Sequence, residues 1–273
     1  MKIESFVKND NDLISCLNEI GFNYSLAHYL YHHLENVKVN GVLPISFALK
    51  KGDKIEIFLE EKTKDYGNSN NPLDVIYEDD YILIVNKPHN IATIPTINHY
   101  DNNLSSDVNA YYKKHNIHAK IHVVNRLDYE TSGLVIFAKH QYIHSLFSNT
   151  KIIKHYHALV EGKIDRDGII NKPIKKIGQE KKRIIASDGK PSITNFEVIA
   201  KNDYSTFLDI NLLTGRTHQI RLHFASILHP LFGDNLYGNG KSKDTLCLDC
   251  YYLEFIHPIT HKLCIINKES NRE

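Results

Sequence analysis

Two short stretches hold side chains whose types and spacing suit them for chemistry. In the first, Val123-Val124-Asn125-Arg126-Leu127-Asp128 runs into Tyr129-Glu130-Thr131-Ser132-Gly133, and the apolar run Leu134–Ala138 follows. A short strand delivers an Asp at its end, the chain turns through Thr-Ser-Gly, and a second strand begins. Such an Asp is either a turn residue satisfied by local amides or a carboxylate kept for acid, base or nucleophilic work. The second stretch is Thr214-Gly215-Arg216-Thr217-His218-Gln219-Ile220-Arg221. Gly215 permits a tight exit from the strand before it, and Thr217 is expected to cap a helix over 217–228. On that helix His218 and Arg221 share a face. An inward Arg beside a buried Asp would offset the desolvation of the carboxylate and keep it ionised, and a structural ion pair would look the same in sequence.

Other signatures fail. There is no Gly-x-x-x-x-Gly-Lys-Ser/Thr, no Gly-x-Gly-x-x-Gly after a strand and no His-Glu-x-x-His. Cys247-x-x-Cys250 precedes His257 and His261, but only six residues separate Cys250 from His257. Zinc fingers commonly leave about a dozen there. The cysteines also sit in a strand-like run, Leu246–Phe255, so core cysteines and no bound metal are expected.

The elements that must position these residues change character along the chain. In residues 1–60, Asn11 or Asp12 can cap a first helix carrying Leu13, Ile14 and Leu17. Leu26, Leu30 and Leu34 at spacing four mark a second. Val37-Lys38-Val39, the Asn40-Gly41 turn and Lys54–Ile57 then read as strands. This is a small unit with a marginal core. The polar stretch 61–72 reads as a linker, and 73–273 as a second domain. There, strand patterns (Tyr81–Val85, Gly133–Ala138, Tyr156–Val160, Ile193–Ile199, Thr206–Leu213, Leu246–Phe255) outnumber helical ones (Leu104–Lys114, Gln141–Asn149, Thr217–Leu228). They do not alternate regularly, which favours an α+β fold with a mixed sheet over a doubly wound one.

The 273 residues carry 33 Lys+Arg, 32 Asp+Glu and 42% hydrophobic residues, enough for a proper core. No apolar run approaches the roughly 18 residues of a membrane span. Four Cys make no disulfide framework, and the N-terminus has no apolar signal core, so a cytoplasmic protein is expected. The net charge of +1 hides an uneven distribution. Residues 1–119 hold 11 Lys, no Arg and 16 acidic groups, whereas 120–200 hold 14 basic against 8 acidic groups. The densest part, 172–190, includes Lys181, Lys182 and Arg183. It is either a solvated surface hairpin or a strip that tracks phosphates, because a polyanion responds to the local field.

Asn-Arg-Leu-Asp-Tyr-Glu-Thr-Ser-Gly-Leu (125–134) together with Thr-Gly-Arg-Thr-His-Gln-Ile-Arg (214–221) closely resembles the RluA-type pseudouridine synthases. The resemblance extends through Tyr77–Asp80, Asn86-Lys87-Pro88, Lys154–Gly162, His229–Asp234 and Leu253–Pro258, in order, over about residues 73–266. It implies a fold on a mixed, largely antiparallel sheet with the cleft across its middle. It implies isomerisation of uridine to pseudouridine in RNA without cofactor or metal; structured RNA, ribosomal ahead of transfer RNA, is the expected substrate and a monomer the default state. Carried over by motif, Asp128 is the catalytic aspartate, and Tyr156 packs on the target uracil and helps to remove its C5 proton. Arg221 pairs with Asp128, and Arg126 fills the space a flipped base leaves. Thr131, Arg216, His218 and Gln219, with Lys181, Lys182 and Arg183, are the candidate substrate contacts. One departure is Asn125, where the family usually has His. It motivates an alternative, a non-catalytic RNA-binding or chaperone protein on the same scaffold. Residues 1–60 more loosely resemble the alpha-L RNA-binding module, either as an RNA contact or as a packing unit.

Overall fold

The computed structural model describes residues 1–60, 66, 69, 71–96, 100–238 and 245–268. Two separate hydrophobic cores organise them, one drawn from residues between Val7 and Leu59 and one from residues between Ile82 and Ile266.

The smaller core lies among β1 (Lys2–Phe6), β2 (Asn11–Asp12), α1 (Leu13–Glu19), α2 (Tyr24–His32), β3 (Val37–Val39), β4 (Ala48–Leu49) and β5 (Lys54–Phe58). Of the two candidate caps for α1, Asp12 serves, accepting the Ser15 N–H at 3.0 Å. Asn40 and Gly41 take φ of 52° and 85°, the left-handed pair of a tight hairpin turn. Across that turn Val39 and Val42 form a single antiparallel bridge, while the strand partner of β3 is β5. β1 has no counterpart in the apolar pattern. Its register on β5 is reinforced by cross-strand ion pairs, Lys2–Glu56 at 2.6 Å and Lys54–Glu4 at 3.1 Å.

The larger core surrounds a ten-stranded sheet. Its elements begin with β6 (Val75–Glu78), β7 (Ile82–Lys87), α3 (Leu104–Lys114), β8 (His122–Val123), β9 (Ser132–Ala138) and α4 (Gln141–Phe147). There follow β10 (Ile153–Glu161), β11 (Gly168–Asn171), the separate hairpin β12 (Ile174–Lys176) and β13 (Arg183–Ile185), and β14 (Ile193–Lys201). The chain continues through β15 (Ser205–Leu212), α5 (Gln219–Ala225), β16 (Leu248–Ile256) and β17 (Leu263–Asn267). The spatial order is β11-β14-β15-β10-β16-β9-β7-β6, with β17 on β16 and β8 on β9. Among its described strands only β9 and β16 run parallel, so the sheet is mixed and largely antiparallel, as expected. Every residue of β9 is buried, which explains the unbroken apolar run at 134–138. At the start of β9, Gly133 has φ +115°, and a Cβ there would lie 2.3 Å from the Cys250 carbonyl oxygen. Only glycine fits this contact.

Of the segment read as a linker, residues 61–65, 67, 68 and 70 lie outside the described residues. Tyr66 and Ser69 pack on the larger unit. The Tyr66 hydroxyl donates to the Ile121 carbonyl at 2.8 Å, and the Ser69 hydroxyl donates to Asp107 on α3. The small unit docks on α4. The Ser145 hydroxyl donates to the Gly21 carbonyl at 3.0 Å and accepts the Asn23 N–H, while the Tyr142 ring packs tilted against Phe22 with centroids 4.8 Å apart.

Candidate active site

A cleft of about 540 Å³ is lined by residues 123–128 and 212–221 together with Thr131, Ile152, Lys154, Tyr156 and Leu248. The two stretches singled out by sequence therefore face one space. The loop that ends in Asp128 is built by hydrogen bonds on both sides of that residue. Asn125 is buried, and its amide accepts the Ile136 N–H at 2.8 Å and donates to the Leu134 carbonyl at 3.2 Å, both on β9. The Thr93 hydroxyl donates to the Leu127 carbonyl at 2.9 Å and accepts the Leu127 N–H at 3.3 Å. Beyond Asp128, Thr131 N–H donates to its carbonyl at 3.1 Å. The Asp128 carboxylate itself is half-buried and makes no hydrogen bond or ion pair among the described residues. A turn aspartate would spend its oxygens on local amides; this one keeps them free.

The expected Asp128–Arg221 pair is not formed. Arg221 is buried, and its Nε and Nη2 donate to Asp234 at 2.8 and 2.7 Å. Its Nη1 pairs with Glu130. Asp234, itself buried, offers both oxygens to the planar guanidinium in the bidentate geometry that Arg favours. With Glu130 on the third nitrogen, three of the five guanidinium N–H donors go to these two carboxylates and none reaches Asp128. The cation that senses Asp128 instead is Lys87, fully buried at the end of β7. Its ammonium donates to the carbonyls of Pro88, Ile91 and Tyr129 at 2.9, 2.9 and 3.1 Å. Burial pulls Lys87 down to about 7, and the Asp128 charge opposes that fall. Three donors meeting three carbonyls is the arrangement of a protonated amine. Lys87 belongs to the Asn-Lys-Pro motif, but nothing in its spacing marks it as a neighbour of Asp128.

The second stretch starts its helix later than expected. α5 begins at Gln219, and exposed Thr217 is not its cap. His218 occupies the cap position with φ 58° and no capping bond, because the chain reverses there. Its Nδ1 lies 3.0 Å from the Tyr237 hydroxyl, which already accepts the Arg183 N–H at 2.7 Å. His218 and the Arg183 backbone thus meet on one phenol oxygen. Burial lowers the His218 pKa, with Arg221 and Arg183 acting the same way and Asp128 and Glu130 opposing. Gln219 is buried, and its amide is used up within the protein. Its oxygen accepts from Thr214 and the Arg216 N–H, and its nitrogen donates to the Ile193 carbonyl and Thr194. On the cleft lining it shapes the 214–216 loop. Arg126 and Arg216 are exposed on the cleft lining. Lys181, Lys182 and Arg183 lie outside that lining, on the β12–β13 hairpin, which meets the cleft through Arg183, Tyr237 and His218.

Tyr156 and Lys154 reach the cleft from β10. The Tyr156 ring is buried, and burial beside Cys250 and Asp128 pushes its phenol well above the usual tyrosine value. Burial also lowers Lys154 below the usual lysine range. The Thr131 hydroxyl is buried with no hydrogen-bond partner. Cys247 is exposed and Cys250 buried, and among the described residues no three His, Cys, Asp or Glu converge as a metal site would require.

Known proteins resemble the chain in the same region. The family model described as RNA pseudouridylate synthase matches residues 81–226. A Bacillus subtilis protein named uncharacterized RNA pseudouridine synthase YjbO is 33% identical over 254 residues, covering 89% of this chain and 90% of its own. A ribosomal large subunit pseudouridine synthase D of Buchnera aphidicola (strain Sg) is 34% identical, covering 84% and 80% respectively. Among solved structures, human RNA pseudouridylate synthase domain containing 1 superposes with a TM-score of 0.59 at 23% identity, covering 76% of this chain and 85% of its own, which speaks to the fold.

Proposed function

The chain belongs to the RluA-type RNA pseudouridine synthase family, and from that premise we propose that it converts particular uridines of structured ribosomal RNA to pseudouridine, with Asp128 as the reacting carboxylate and no cofactor. The observation that carries this reading is the free Asp128 carboxylate, fixed on both sides by main-chain hydrogen bonds and facing a cleft sized for a nucleotide. The relatives named for the large ribosomal subunit favour ribosomal over transfer RNA.

The target base must leave its stack, at a cost of a few kcal/mol that is least in a loop or bulge. Tyr156 gives the extruded uracil an aromatic face, and Arg126 fills the gap left behind. Asp128 acts at the sugar as base or nucleophile while the glycosidic bond breaks. Lys87 supplies positive charge near the carboxylate. Arg221 instead holds Glu130 and Asp234, and through them the turn after Asp128. His218 presents Nε2, Thr131 its unpaired hydroxyl and Arg216 its guanidinium to the bound nucleotide. The Asn125 amide is engaged with β9 and away from Asp128, so the departure from His gives no support to a non-catalytic scaffold.

Unmodified large-subunit ribosomal RNA labelled with tritium at uracil C5 tests this reading. The protein is expected to release the label, and Asp128→Asn to abolish release while binding the same RNA. Failure of the native chain on both ribosomal and transfer RNA would sink the proposal.

A further inference from the structure

The isomerisation needs a group that takes the proton from C5, and the cleft holds few candidates. Asp128 is committed to the sugar. The guanidinium groups of Arg126 and Arg216 stay protonated in proteins. His218 is tied through Nδ1 to the Tyr237 hydroxyl at 3.0 Å. Tyr156 would have to act as a phenolate, yet its phenol is buried against Cys250 and pushed far above the usual value. A phenol so placed remains protonated near neutral pH.

Lys154 remains. It lies two residues before Tyr156 on β10, so strand alternation sends both side chains to the same face. Both line the cleft that Asp128 faces. Unlike Lys87, whose three donors are all taken, Lys154 makes no hydrogen bond or ion pair among the described residues. No carboxylate holds it in the charged form, and burial favours the neutral amine.

We propose that Lys154 Nζ is the base that accepts the C5 proton of the uracil stacked on Tyr156, a role that rests on the reading of the cleft as a uridine site. When the C1′–N1 bond breaks, its electron pair stays with the ring. The ring's π electrons form the C5–C1′ bond, and C5 then carries both the sugar and its original hydrogen. The lone pair of Lys154 takes that proton, and the C5–H electrons restore the ring double bond. N1 gains a proton from the resulting ammonium or from water, so protons balance with no further reagent. The amine thus serves both halves of the transfer.

Lys154→Arg and Lys154→Gln, each in the full chain and assayed on RNA carrying protium or deuterium at uracil C5, test this assignment. Arg keeps the positive charge but is no base, so both variants are expected to lose turnover by about 100-fold or more, the scale of a lost general base. Deuterium at C5 is expected to slow the residual rate of each variant more than it slows the native chain, because proton removal becomes limiting. Full turnover by Lys154→Arg would show that only charge is needed and would overturn the assignment. An isotope effect unchanged in both variants would overturn it equally. If the native chain releases no C5 label at all, it is the uridine reading that fails.

Discussion

At the scale of single residues, the Arg221–Asp234 pair governs how the site responds to acid. Burial pushes the Asp234 carboxyl up, but the Arg221 guanidinium and the N–H groups of Tyr237 and Leu236 outweigh it and hold the pKa below the usual value. A depressed folded pKa contributes stability that is complete above the unfolded value of about 3.9 and is lost as pH falls through the folded one. Asp234→Asn is therefore expected to cost about 3 kcal/mol at pH 7, since it leaves a buried guanidinium short of a partner. Below about pH 4 the gap between variant and native chain should narrow, because the native Asp234 is then losing its charge as well. Urea unfolding followed across pH 3 to 7 checks both. The partners of Arg221 were not legible in sequence, although its inward position was. Glu130 and Asp234 lie 91 and 13 residues away, and a motif records which residue types recur, not which of three carboxylates a guanidinium will reach. Asp128 was legible because a strand–turn–strand pattern and a motif agree on it, whereas buried Lys87 carries no periodic signal.

At the scale of elements, the β12–β13 hairpin stands apart from the central sheet with Lys181 and Lys182 exposed. Its tie to the cleft uses the backbone of Arg183, so replacing Lys181, Lys182 and Arg183 by Ala leaves the donor to Tyr237 in place. The triple variant is expected to lower the slope of log affinity for RNA against log salt by about 2, as two or three phosphate contacts are lost. Filter binding over a salt series measures it, and an unchanged slope would mark the hairpin as only a solvated surface. Elements with their own period were readable. The helix expected at Leu104–Lys114 has those bounds, and the six expected strands differ by a few residues at most, while β6, β11 and β17 had no expectation. The start of α5 was not readable, because Thr217 is a good cap by type while the left-handed turn at His218 is set by tertiary contacts. Nor was β1, which exists through pairing with β5, some fifty residues away.

At the scale of the whole molecule, the two units share a buried polar contact. Ser145 is fully buried and serves both the Gly21 carbonyl and the Asn23 N–H. Ser145→Ala strands both groups and is expected to cost about 1–3 kcal/mol. Hydrogen exchange at residues 20–23 should speed up in that variant, with the amides of β9 little changed; equal acceleration in both would mean the units unfold as one. The large sheet has a seam of its own. Strands β11, β14, β15, β10, β16 and β17 form one side and β8, β9, β7 and β6 the other, and among the described residues they pair only where Ser132 and Gly133 lie beside Asp249 and Cys250. Any side chain at 133 would drive its first carbon into the main chain of Cys250. In evolutionary terms this position has no neighbours: each one-step codon change that alters the amino acid wedges open the join between the two halves. A lineage that keeps this architecture keeps that glycine, whichever RNA it comes to serve.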